Sequence, residues 1–429
     1  MAETVMVAFR GRGSGVDELS WGQRELWGGM VRQQTWMPMG IVLPLAHGTT
    51  VGDVARELRF ILERFPSMRT RLRLRDQAPP LQVLADHGEV PLEIVDDESP
   101  EQVSRRLHET PYDFEHDWPV RTAVVRRGGV PTHQVTVVCH LVNDGHGGLV
   151  LAGELARWHR DGRPERPEPG AMPPLEQAAW QRSPAGRKQS AAALRHWERI
   201  LRDIEPKRFP GALDPRRPRH WQAGFASRAL LLAARAVARR TGIDRTTVLL
   251  TAFAKALANA TGIHPVVVRV VVSNRFRSAL AGTVSPVSQP ALCVVDVAGL
   301  PFDEAVARTA RRVLTAYKHA YYDPNDLDAL LEQTQVDVAC YFNDRRPPGP
   351  GDAPPPTAEQ IRAARAESEF FWMARQDRPN ERLFLTIEDD PSTVLLDLCG
   401  DTHHVPPAAI EACVRDMETI TVAAAIGGP

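Results

Sequence analysis

The run His140-Leu141-Val142-Asn143-Asp144-Gly145 closes the stretch Gln134-Val135-Thr136-Val137-Val138-Cys139, whose β-branched residues favour a strand. It places an imidazole at a strand end, with a carboxylate and a glycine turn directly behind it. A neutral imidazole can take a proton from an amine or hydroxyl as that group attacks an acyl carbon. With an ordinary pKa of about 6.5, the ring is largely neutral near pH 7. Asp144 reads as a turn former that bonds its own backbone or a nearby arginine, with a direct acid role as the alternative. Gly145 lets a substrate approach closely. Cys139 adjoins the imidazole, but neighbours on a strand point to opposite faces, so its thiol belongs to the core. His146 is a flanking side chain.

The elements around this run are those of a mixed α/β chain. Helical spacing predicts helices over Val16 to Met30 and Asp53 to Leu62, the second capped by Thr50 and Asp53. Leu81–Leu84 and Leu92–Val95 alternate like edge strands. Val120–Arg126 and Gln134–His140 are stronger strands, separated by the turn signal Gly128-Gly129. Gly147 to Arg160 then returns as a helix, so His140 sits at a strand-to-helix junction. Residues 161–174 form a proline-rich connection, and Ser183-Pro184-Ala185-Gly186 marks a boundary near 185. Beyond it come helices over Ser190–Arg202 and Thr246–Ala260, the strand Val266–Val272, a Ser/Pro-rich loop, the strand Leu292–Val297 and the helix Phe302–Ala316. Residues 346–356 are too rich in proline for regular structure. A hairpin over Leu383–Glu388 and Thr393–Leu398 and a final helix over Pro407–Ile426 complete the chain.

Bulk properties exclude several classes. With 52 basic and 53 acidic residues in 429, the net charge of −1 gives no electrostatic case for nucleic acid or an anionic membrane. Apolar runs such as Pro265-Val266-Val267-Val268 are far too short to span a bilayer. The N-terminus carries no basic region before an apolar one, so no signal peptide is expected. Five scattered cysteines without Cys-x-x-Cys spacing fit a reducing cytoplasm rather than a disulfide framework or zinc site. His403-His404 is an adjacent pair, not a metal spacing on one helix face, and is expected at the surface. No phosphate loop of the Gly-x-x-x-x-Gly-Lys type, His-Glu-x-x-His helix or Gly-x-Ser-x-Gly elbow occurs, so no metal ligand is assigned.

Taken together, the motifs resemble the condensation domain of nonribosomal peptide synthetases, within the chloramphenicol-acetyltransferase-like superfamily. Leu19-Ser20-Trp21-Gly22-Gln23-Arg24-Glu25-Leu26-Trp27 is similar to that family's first motif. Arg64-Phe65-Pro66-Ser67-Met68-Arg69-Thr70-Arg71-Leu72 resembles its second, and Pro111-Tyr112-Asp113-Phe114 with Trp118-Pro119-Val120-Arg121 the lead into the active-site strand. Ala179-Trp180 and Leu194-Arg195-His196-Trp197 fall where the fourth motif and its following helix belong. The family usually reads His-His-x-x-x-Asp-Gly; here Cys139 replaces the first histidine and His140 keeps the second, reactive one. The fifth motif is worn in Gly282–Pro290, and only Tyr341-Phe342-Asn343-Asp344-Arg345 stands near the seventh.

The resemblance implies two acetyltransferase-like α/β subdomains, 1–185 and 186–429, in a V-shaped pseudo-dimer with His140 at a central tunnel. It implies that Asp144 pairs with an arginine, with Arg69 the first choice and Arg121 the second. Gly145 either offers its N–H near a developing oxyanion or is an ordinary turn glycine. Ser288, Gln289 and Asn343 are tunnel-lining candidates. The expected activity is that of a freestanding, cytoplasmic condensation enzyme of secondary metabolism, joining a thioester-activated acyl or aminoacyl group to an amine. The alternatives are an ester-forming acyltransferase of the same superfamily and a catalytically degenerate recruitment scaffold. No bound cofactor is expected. The donor would ride on the phosphopantetheine arm of an acyl or peptidyl carrier protein, or on coenzyme A. Arg10, Arg12 and Arg24, with Arg311 and Arg312, are the basic residues suited to an acidic carrier.

Overall fold

The computed structural model describes residues 3–162, 171–209, 215–346, 354–378, 381–388, 390 and 392–427. They fall into two compact units. The first takes residues 1–189 together with 273–288, and the second takes 190–272 and 289–429. A single cut at 185 therefore misses the excursion at 273–288, which leaves the second unit's run of chain and packs with the first.

The first unit contains β1 (Glu3–Arg10), β2 (Gly15–Glu18), α1 (Trp21–Gln33), β3 (Pro38–Pro44), α2 (Val51–Arg64), β4 (Thr70–Arg75) and β5 (Ala78–Leu84). It continues with β6 (His87–Val95), α3 (Pro100–Glu109), β7 (Val120–Arg127), β8 (Val130–Cys139), α4 (Gly145–Asp161) and α5 (Pro174–Arg182). Its main sheet has the order β1-β6-β7-β8-β3, with β6 and β7 parallel and the other neighbours antiparallel. A smaller sheet orders β2-β5-β4. The helix expected from Val16 starts later, because Ser20 and Gln23 close a reciprocal capping box that fixes Trp21 as the first helical residue. Residues 15–18 pair with β5 instead. The predicted cap of α2 forms, with Thr50 and Asp53 bonding each other's backbone N–H. Gly128 and Gly129 both take positive φ, the backbone that a two-residue hairpin turn between β7 and β8 requires.

Both faces of the main sheet are covered. Val90, Leu92 and Val124 pack with Leu58 and Leu62 of α2 and with Leu151, Leu155 and Trp158 of α4. Val125, Val135, Val137 and Cys139 pack on the other side with Met30 of α1 and Val103 and Leu107 of α3. This double burial explains the near-continuous valine run of β8.

α6 (Pro184–Asp203) passes from the first unit into the second. There follow β9 (His220–Ser227), α7 (Arg228–Thr241), α8 (Arg245–Thr261), β10 (Val266–Val272), β11 (Gln289–Val295), α9 (Phe302–Lys318), α10 (Pro324–Thr334) and β12 (Cys340–Asp344). The chain ends with α11 (Ala358–Ala364), β13 (Glu369–Gln376), β14 (Leu383–Glu388), β15 (Val394–Asp401) and α12 (Pro407–Gly427). The sheet order is β11-β10-β12-β14-β15-β9-β13. α8 is buried along most of its length, from Thr247 to Leu257, so its pattern reads apolar all round. Parts of the proline-rich stretches near 161–174 and 346–356, and Pro391 of the Asp390-Pro391 turn, lie outside the described residues. No described helix is long and apolar enough to cross a membrane.

Candidate active site

β8 delivers the candidate residues. Cys139, its last residue, is 1% exposed in the core beside α1 and α3, and its thiol donates to the Trp36 carbonyl at 3.6 Å. Burial pushes that thiol up to about 12, which removes it as a thiolate nucleophile near neutral pH. The next residue, His140, leaves the strand in a turn closed by Val142 N–H to Cys139 carbonyl, 3.1 Å. Its half-buried ring donates from Nδ1 to the Asn143 carbonyl at 2.8 Å. A neutral ring held this way carries its lone pair on Nε2, the nitrogen able to accept a proton.

Asp144 is the N-cap of α4. Its Oδ1 accepts from the Gly147 N–H at 2.8 Å, holding the first turn of the helix behind His140. The rest of the carboxylate is enclosed by the 273–288 segment. Arg275 meets it in a two-pronged pair, Nη2 to Oδ1 at 2.7 Å and Nη1 to Oδ2 at 2.9 Å. Oδ2 also accepts from Val287 N–H, Ser288 N–H and the Ser288 hydroxyl, at 3.0, 3.1 and 2.9 Å. Burial pushes the Asp144 carboxyl up, but the Arg275 charge and these donors outweigh it and hold it below the ordinary carboxylate value. Arg275 in turn donates to the carbonyls of Thr283 and Ser285, each at 3.0 Å. The pair locks the loop onto the head of α4.

That arginine is neither of those expected. Arg69, 1% exposed, donates to the carbonyls of Leu62 at 3.1 Å and Gly13 at 2.9 Å, and to those of Arg12 and Ala85. It satisfies main-chain acceptors at the end of α2 and in the connection after β1, a crowded cage that only a glycine at 11 can border. Arg121 lies over the Trp36 ring and donates to Thr110 and Pro111 carbonyls and to Asp117. The first choice, Arg69, and the second, Arg121, are both structural arginines elsewhere in the unit.

Of the tunnel candidates, Ser288 serves the Asp144 cage through its hydroxyl. Gln289 is fully buried, and its amide bonds the main chain of Tyr322 on both sides, so it is committed inside the second unit. Asn343 is half-buried on β12, opposite Thr386 of β14. Gly145 is exposed at the first position of α4, and a Cβ there would meet nothing within 4 Å. The sterically required glycine is Gly147, where a Cβ would lie 2.4 Å from Asn143 Oδ1 and 3.3 Å from Arg275 Nη2. Gly22 is equally tight, with the Pro286 carbonyl 2.2 Å from the same added atom. Partial burial and the Arg275 charge hold the His146 imidazole below its ordinary value, against Asp144. His403 and His404 are half-buried rather than exposed, His403 Nε2 sharing a hydrogen bond with the Arg216 carbonyl. Arg24 pairs with Glu18 at 2.6 Å, while Arg311 and Arg312 are exposed on α9.

An imidazole at the end of an interior strand, followed by a capping aspartate locked to a distant arginine, sets a proton acceptor beside the fixed N-terminus of α4. The sequence profile of the condensation domain matches residues 29–343, and the chain belongs to that family. The AMB antimetabolite synthetase AmbB of Pseudomonas aeruginosa is 28% identical; the match covers 88% of this chain but only 30% of that protein. Among solved structures, the condensation domain of the monacolin K polyketide synthase MokA superposes with a TM-score of 0.74 at 16% identity, covering 97% of this chain and 99% of that one. SgcC5 of Streptomyces globisporus gives 0.70 at 18%, covering 95% and 98%. The epimerization domain from the third module of tyrocidine synthetase B gives 0.72 at 13%, covering 97% of each. At these identities the likeness establishes the fold. An epimerization domain on the same fold means that the reaction must be argued from the site.

Proposed function

We propose that the chain catalyses condensation of a thioester-activated acyl or aminoacyl group with an amine, forming an amide in nonribosomal-peptide-type biosynthesis. The observation that carries this reading is His140, held by its Nδ1–H on the Asn143 carbonyl so that Nε2 is the proton acceptor. The amine nitrogen attacks the thioester carbon and Nε2 takes the amine proton. The C–S bond then breaks as the carbonyl re-forms, and the leaving thiolate regains that proton from the imidazolium. The N–H groups of Gly145 and His146, which open α4 and have no acceptor within the helix, are the donors proposed for the developing oxyanion. Positioning supplies much of the rate. Asp144, sealed by Arg275, is a positioning residue.

The acyl donor is proposed to arrive on the phosphopantetheine arm of a carrier protein, with coenzyme A as the alternative carrier of the thioester. Intact-mass detection of product tests the reading, using carrier-loaded acyl groups with amine and, separately, alcohol acceptors. Amide product that disappears in His140→Ala supports it. Ester product alone would move the chain to the alcohol-acylating branch. No product from a broad donor set, with the fold intact, would favour a non-catalytic role.

A further inference from the structure

One face of α4 is unlike the solvent face of an ordinary helix. Gly145, His146, Leu149, Ala152, Gly153 and Ala156 are exposed at helical spacing, while Val150, Leu151, Leu155 and Trp158 pack into the core. A surface helix usually turns charged residues outward. This face carries none from Gly145 to Ala156, and Leu149 on it is 52% exposed. Gly153 is the more telling residue. Glycine inside a helix is less favourable than alanine, and here an added Cβ would meet nothing within 4 Å, so packing does not demand it. Phe276, directly after the arginine that locks Asp144, is 60% exposed. In the turn that begins the face, Asn143 is 8% exposed, and its Oδ1 is buried without a hydrogen-bond partner among the described residues.

We propose that this face of α4 seats the acyl portion of the substrate, and that the acyl group is apolar and uncharged. This rests on the condensation reading above. The face starts at the turn that carries His140 and runs about 16 Å to Ala156 at 1.5 Å of rise per residue. An acyl carbonyl placed at Gly145 would lay its chain over Leu149, Ala152 and Gly153, and the missing side chain at 153 leaves room for it. Contiguous exposed apolar surface of this kind marks a binding surface, whereas a charged acyl group would find no partner along it.

The test is direct binding of butanoyl, hexanoyl and octanoyl thioesters of N-acetylcysteamine to the full chain by calorimetry. Complete burial of a methylene is worth about fourfold in affinity, so a one-sided face should give about twofold per methylene. Octanoyl should therefore bind roughly 16-fold more tightly than butanoyl. Ala152→Glu should cost the octanoyl thioester at least about tenfold and the butanoyl one less than about twofold. Gly153→Leu, whose Cβ would meet nothing within 4 Å, should do the same by filling the face. Leu314→Glu, on the exposed side of α9, should change neither. Affinity independent of chain length, or octanoyl binding unchanged in both α4 variants, would overturn the proposal. Binding needs no turnover, so the two readings fail separately. Chain-length-dependent binding without any product sinks the condensation reading and spares this one. Product formation with length-independent binding does the reverse.

Discussion

Truncating Asp144 should destabilise the protein more than truncating Arg275, although the two form one pair. In Arg275→Ala the carboxylate stays buried but keeps the N–H groups of Gly147, Val287 and Ser288 and the Ser288 hydroxyl as donors. The loss should fall near the lower end of the roughly 3–5 kcal/mol expected for breaking a buried ion pair. Asp144→Ala strands a guanidinium that retains only carbonyl partners, and orphans buried donors worth about 1–3 kcal/mol each. Its loss should reach about 5 kcal/mol or more. For a unit of about 200 residues, about 3 kcal/mol corresponds to roughly 6–12 °C in Tm. The double variant should lose much less than the sum. Urea unfolding followed by near- and far-UV circular dichroism measures all three, provided that the two probes give coincident transitions. Equal losses from the two single variants, or an additive double variant, would refute the enclosure argument. The pH dependence supplies a second check. The folded Asp144 carboxyl lies below its ordinary value of 3.8, so its stabilisation is complete above that pH and fades only as pH falls through the folded value. The gap between wild type and Asp144→Ala should persist to about pH 4 and close only in stronger acid.

His140→Ala should lower turnover about 100-fold or more with Tm unchanged, since a positioned base contributes roughly 10²–10⁴; near-normal rates would assign the proton transfer to another group. Gly22→Ala should lower both Tm and turnover, because its new methyl would meet the Pro286 carbonyl at 2.2 Å and push Val287 and Ser288 off Asp144. Gly145→Ala, opening into free space, should leave Tm within about 2 °C as an ordinary surface change of under about 0.5 kcal/mol does. His196, stacked on His319 with ring centroids 4.3 Å apart, is held down to about 4 by burial, by His319 and by Arg199, with Lys318 also close to His319. Between its ordinary value of 6.5 and about 4, the unfolded chain binds a proton that the folded one refuses, so stability should fall as pH drops through that window. His196→Gln should flatten that slope in urea unfolding at pH 7 and pH 5, and an unchanged slope would refute the assignment.

The parts whose causes are local were legible in the sequence. The valine-rich strand ending at Cys139, the turn glycines at 128 and 129, the Thr50–Asp53 cap and the strand-to-helix step at His140 all follow from residues within a few positions of one another. Motif order along the chain was also enough to point to the family. Boundaries moved at α1, where the Ser20–Gln23 capping box starts the helix after a short strand, at α6, which begins at Pro184 rather than Ser190, and at β11, which runs Gln289–Val295 rather than Leu292–Val297. The partner of Asp144 was not legible there and comes from the folding of the chain. Arg69, Arg121 and Arg275 are alike in sequence as arginines near apolar segments. The choice among them depends on the 273–288 segment belonging to the first unit and packing on its α4 head, a contact between residues 131 positions apart. The same is true of the glycines. Gly145 lies in the motif but in open space, whereas Gly22 is fixed by the distant Pro286 carbonyl, and Gly147 by its neighbours Asn143 and Asp144 together with the distant Arg275. Periodicity and motif spacing carry short-range physics, while charge pairing and close packing depend on which distant residues the fold brings together.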